Sequence, residues 1–172
     1  MDAAAAKSWR ATWRTALFHG VGAAVLAMFC YSTASLVPSL TETYWAPIAA
    51  VVVLYPDGEA TKKAAVERLL GTVIGSLIGW ASAAHWHQNV VLYGLAILVA
   101  VGLCHLLRLE NASRLCAVAV TVITVIPRAE PARLVAFHRF VEVSYGVACA
   151  LLYTVAVDIV RRRRSGRHLG SD

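Results

Sequence analysis

Two arginines, Arg68 and Arg139, stand 71 residues apart, each where polar sequence gives way to apolar sequence. A guanidinium in that setting is costly unless it is paired, reaches back to water or faces an aqueous cavity. Each is therefore either a structural cation at the membrane interface or a group that attracts an anion to the mouth of a pathway. Glu142 follows Arg139 by three residues and Lys63 precedes Glu67 by four, so ion pairs along a helix are open to both segments. Gly71, Gly75 and Gly79 recur every fourth residue, line one stripe of a helix and admit a neighbouring backbone. Thr72 and Ser76 lie one position on from that stripe, with hydroxyls for a carbonyl or an adjacent helix. Trp45, after Tyr44, opens another apolar block, where its ring joins an interfacial belt or turns inward to stack on a solute.

Other chemistry is thinly represented. A nucleophile with a base, a phosphate-binding loop and paired carboxylates in a supporting context are all missing from the pattern, so no enzyme and no cofactor are expected. His85 and His87 flank Trp86, yet two histidines without a nearby carboxylate or thiol make a weak metal site, and none is assigned. His19 and His105 are expected as polar groups inside the helix bundle. Cys30, Cys104, Cys116 and Cys149 fall within apolar blocks without ligand spacing and read as small buried hydrophobes. Asp158, followed by Arg161 and Arg162, reads as a helix-end ion pair, and the sequon at Asn111 and Ser113 is expected on the cytoplasmic side, unused.

The elements that must hold these residues are set by composition. Of 172 residues, 59% are hydrophobic and 15% charged, against roughly 25% charged in a soluble domain. Apolar residues gather in six blocks, at 15–37, 44–55, 69–84, 90–107, 115–126 and 141–157. The chain is expected to be an all-α membrane protein, a six-transmembrane-helix bundle whose partner is the lipid bilayer. Residues 1–14 then form a cytoplasmic N-terminal segment, 15–160 the membrane domain and 161–172 a basic cytoplasmic tail. The five arginines of that tail fit anionic lipid, so the net charge of +6 does not call for nucleic acid. Lys7, Arg10 and Arg14, then Lys62 and Lys63, then Arg108 and Arg114, place both termini in the cytoplasm by the positive-inside rule.

Arg128, Arg133 and Arg139 break that rule, and a repeat explains them. A shift of 71 residues, without a gap, lays Pro56 on Pro127, Glu59 on Glu130, Lys62 on Arg133, Ala65 on Ala136, Arg68 on Arg139 and Gly75 on Gly146. Two copies of a three-helix unit insert in opposite senses, giving two inverted three-helix repeats and one arginine towards each membrane face. The second and fifth blocks, twelve residues each, are too short to span alone. Either polar residues at 39–43 and 111–114 extend them, or they are broken helices of the kind that form transport sites.

The succession Tyr44-Trp45-Ala46-Pro47-Ile48, then Pro56, then Arg68 with Gly71, Thr72 and Gly75, and later His138, Arg139, Glu142 and Gly146, resembles the fusaric acid resistance protein-like family, also called the aromatic acid exporter family. The resemblance implies a transporter of the cell membrane that exports aromatic carboxylates or other small organic anions. Arg68, Gly71, Thr72, Gly75, Arg139 and Glu142 carry the matched positions. Many members of that family are much longer, so a homodimer or larger self-association is the expected working unit. A non-transporting membrane scaffold, or an accessory subunit of a larger efflux complex, is the alternative. A cation carrier using His85 and His87 is a third.

Overall fold

Local capping chemistry sets where the helices begin. Asp57 Oδ2 accepts the Ala60 N–H at 3.0 Å, and Asn89 Oδ1 accepts those of Val91 and Leu92 at 3.0 and 3.4 Å. The computed structural model describes residues 3–38, 40, 42–85, 89–126 and 131–168. Among them it forms six helices and no strand: α1 (Ala3–Ala34), α2 (Trp45–Val53), α3 (Gly58–Ala83), α4 (Val90–Leu106), α5 (Glu110–Val125) and α6 (Ala132–His168). Three contain stretches long and apolar enough to cross a bilayer, at Thr15–Ala34, Gly58–Ala83 and Ala132–Val160. The chain is thus an all-helical membrane protein.

The two short blocks differ. Residues before Leu115 do extend α5, which begins at Glu110, whereas α2 starts only at Trp45 and has nine residues, about 14 Å of helix. No helix leads into Trp45 among the described residues before it, where Leu40 and Trp45 donate in short turns to the carbonyls of Val37 and Glu42. The α4–α5 corner closes as a Schellman turn, with Leu109 N–H to Cys104 O at 2.9 Å and Arg108 N–H to His105 O at 3.0 Å. Arg108 is held at φ 58°, the left-handed region that glycine usually fills there.

The glycine stripe decides the packing. A Cβ on Gly71 would come within 2.8 Å of Ala112 O, and one on Gly75 within 2.6 Å of Cys116 O, while Gly79 meets Val120 and Ile123. Ser82 and Thr124 then share a hydroxyl hydrogen bond of 3.0 Å. Both number series rise together, so α3 and α5 run parallel, backbone against backbone. Gly146 of α6 packs in the same way on Ala46 and Ala49 of α2. Helices α1 and α2 form one core with α6, through Leu26, Cys30, Ala49, Val53 and Val147, and Ala65 near the start of α3 joins it. The second core joins α4 and α5 through Ala100, Cys104, Cys116 and Val120, with Ile74 and Ile78 of α3 against it.

Burial recurs along the chain. Ala46, Ala49, Ala50 and Val53 are buried in α2, and Cys116, Ala119, Val120 and Ile123 are buried in α5, a shift of 70. In α3 and α6 the buried set Arg68, Gly71, Thr72, Gly75 and Ser76 returns at Arg139, Glu142, Val143, Gly146 and Val147, a shift of 71. The burial pattern of the shorter helices thus recurs at a spacing one residue smaller than the sequence match at 71.

Helices α3 and α6 cross antiparallel. Gly58 lies against Thr154 and Asp158, while Val73, Leu77 and Trp80 share a groove with Arg133, Phe137 and Phe140. Residues 58–80 of α3 thus lie alongside residues 133–158 of α6 in the opposite sense.

Candidate functional site

Both arginines lie buried among the helices. Arg68 is 5% exposed and Arg139 4% exposed. A guanidinium so enclosed is neutralised by neighbours or left to meet a guest. The two arginines differ in the partners they have.

Arg139 is charge-paired with two carboxylates, although its Nε and Nη1 make no hydrogen bond among the described residues. Its Nη2 meets Glu42 Oε2 at 2.5 Å, and its Nη1 lies 3.6 Å from Glu142 Oε2. The guanidinium carbon stands 3.8 Å over the Trp45 ring, and Trp45 Nε1–H donates to the same Glu42 Oε2 at 2.8 Å. Glu142, 1% exposed, also accepts the Glu42 backbone N–H at 2.7 Å. The chain entering α2 is thereby fastened to α6. The pair of Arg139 with Glu142 expected from their spacing is formed, and Trp45 turns inward.

Glu42 was not anticipated as a member of this cluster. A signal for it existed: it is the sole acidic residue between Asp2 and Asp57, just before an inward-facing tryptophan.

Arg68 has neither carboxylate. The repeat places Gly71 where the other half has Glu142, and Ala112 where it has Glu42. Gly71 packs on the Ala112 carbonyl, as Glu142 receives the Glu42 backbone N–H. Among the described residues Arg68 has no hydrogen-bond or ion-pair partner, and its Nε is wholly enclosed. The charge within electrostatic reach is the like charge of Arg139. Thr72 Oγ1 donates to Arg68 O at 2.8 Å, so its hydroxyl serves the helix backbone, whereas Ser76 Oγ is buried without a partner.

Other expected groups fall elsewhere. Glu67 does not pair with Lys63; its Oε2 accepts from Asn111 Nδ2 at 2.9 Å, which gives the sequon asparagine a structural task. Lys62 pairs with Glu59 at 2.7 Å. His105 is exposed on α4, so it is not inside the bundle, while His19 is half-buried beside a cavity of about 430 Å³ with Tyr153 and Asp158. Asp158 lies against the start of α3; the side chains of Arg161 and Arg162 are outside the described residues. His85 has its Nδ1 3.2 Å from Ala81 O, and Trp86, His87, Pro127, Arg128 and Glu130 are likewise outside the described residues. No group of three or more His, Cys, Asp or Glu side chains suited to a metal occurs among the described residues. The four cysteines are buried and free, as expected.

Neither a curated protein nor a solved structure matches the chain. The family model described as fusaric acid resistance protein-like matches residues 24–153, which take in the Trp45 turn, the glycine stripe and both arginines. On that match, covering well over half of its 172 residues, the chain belongs to the fusaric acid resistance protein-like family.

Proposed function

We propose that this protein carries small organic anions out of the cell, in the manner of an aromatic carboxylate exporter, across a cell membrane with both termini cytoplasmic. Six crossings arranged as two inverted three-helix repeats give the pathway its geometry. The observation that supports this most is Arg68: a buried cation without a counter-ion among the described residues, on α3, which packs antiparallel to α6. Secondary transporters place their substrate sites at such repeat interfaces near the bilayer midplane. The guest's carboxylate meets Arg68 there, while Arg139, Glu42, Glu142 and Trp45 form the rigid wall opposite. The close-packed stripe of Gly71, Gly75, Gly79 and Gly146 lets the halves rock without opening a cavity. A negative-inside potential then favours outward movement by roughly 2.3 kcal/mol per charge per 100 mV. Self-association supplies the working unit.

Flux of benzoate from liposomes holding the purified protein tests the proposal. Efflux above empty vesicles is expected, rising with an inside-negative potential and lost in Arg68→Ala. Flux equal to that of empty vesicles contradicts it.

A further inference from the structure

One cavity has no part in the central site. It is about 390 Å³, lies between the end of α2 and the first turns of α3 and α5, and is lined by Tyr55, Lys63, Glu67, Asn111, Arg114 and Leu115 among others. Lys63 and Arg114 come to it from different helices, and among the described residues neither is held by a hydrogen bond or an ion pair. The carboxylate in the lining, Glu67, is already committed to Asn111 at 2.9 Å. Lys62, the neighbouring cation, is tied to Glu59 and faces another cavity. The site thus offers two uncommitted cations to one occupied carboxylate, over a wall of Val52, Val53 and Leu115.

The other half of the repeat is not built this way. The shifts of 71 and 70 carry Lys63, Glu67, Arg114 and Leu115 onto Leu134, His138, Tyr44 and Trp45. The opposite mouth therefore has aromatic and aliphatic groups where this one has cations, with Tyr44 and Trp45 rings 5.6 Å apart. Two related mouths differ in charge, and a bilayer protein so arranged meets anions unequally from its two sides.

We infer that Lys63 and Arg114 form an anion-capture vestibule on the face where α3 and α5 begin, taking an oxyanion on a small apolar body. It rests on the proposed transport for its place ahead of Arg68, which lies one residue beyond Glu67 on α3. The oxyanion is the carboxylate of a free organic anion or the phosphate of an anionic phospholipid, and the guanidinium and ammonium recognise either.

Binding, measured without transport, separates these. The protein in nanodiscs of neutral phosphatidylcholine is titrated with benzoate, and native mass spectrometry counts phosphatidylglycerol retained from mixed lipid. In the Lys63→Gln/Arg114→Gln double variant, benzoate affinity falls by about tenfold or more if the free anion is the guest. Retained phosphatidylglycerol is lost instead if the headgroup is the guest. Lys62→Gln leaves both unchanged, which controls for surface charge alone. Affinity and lipid retention equal to the parent in the double variant overturn the vestibule. Binding lost in that variant while the parent shows no flux overturns the transport proposal and leaves the vestibule standing.

Discussion

Gly146 packs so closely on Ala46 that a methyl group placed on the glycine would collide with the Ala46 carbonyl oxygen. This contact joins α6 to α2 within one core. Gly75 on Cys116 is its counterpart.

Gly146→Ala and Gly75→Ala are expected to destabilise the folded protein by about 1–3 kcal/mol each, since backbone cannot give way as a flexible side chain does. Gly94→Ala and Gly102→Ala are the controls, because a Cβ at either meets nothing within 4 Å. Thermal unfolding in one detergent checks all four. Equal midpoints would remove the close-approach account.

Arg139 and Glu42 form a buried pair whose loss is costly. Arg139→Ala is expected to cost about 3–5 kcal/mol, because it strands Glu42 and Glu142 together. Glu42→Gln costs less, keeping an acceptor for Trp45. A double-mutant cycle across Arg139 and Glu42 in denaturant unfolding checks the coupling, and additivity would show that the 2.5 Å contact carries no stability.

The thiols report which helices pack together. Cys30 and Cys149 share the first core, and Cys104 and Cys116 share the second. A short membrane-permeant thiol cross-linker is expected to join α1 to α6 and α4 to α5, and peptide mass mapping reads the products. A Cys30 to Cys104 product would mean a different packing of the halves.

Arg108 occupies the left-handed corner after α4. Arg108→Gly is expected to stabilise the fold by about 1 kcal/mol by relieving that conformation. A lowered unfolding midpoint in the variant would contradict the Schellman geometry.

Much of this fold is legible in the sequence. The apolar blocks locate the helices, and the spacing of Gly71, Gly75 and Gly79 announces a close partner. The matched arginines suggest that the chain is built from two related halves. What the pattern cannot tell is which helix receives the stripe. Ala112 and Ala46 look alike as neighbours, so the packing of α3 on α5 and of α6 on α2 is hidden. The one-residue offset of α2 from α5 is also invisible, because apolar residues match in either register. Charged side chains mislead in the other direction. Lys63 and Glu67 satisfy the helical pairing rule, yet Asn111, 44 residues on, is nearer to Glu67 in space. Arg139 takes Glu42, 97 residues before it, and no local rule could supply that contact. His105 shows the converse, an ionisable residue in an apolar run that faces outward.

The proposed pathway needs two opposed halves, with Arg68 and Arg139 on the antiparallel helices α3 and α6. Single cysteines at Lys62 and Arg133, in a variant whose four native cysteines are alanine, test this through labelling by a membrane-impermeant maleimide. The two positions are expected to react from opposite sides of the membrane, Lys62→Cys from the cytoplasm and Arg133→Cys from outside. Labelling of both from the same side would contradict the inverted arrangement and remove the proposed site from the middle of the bilayer.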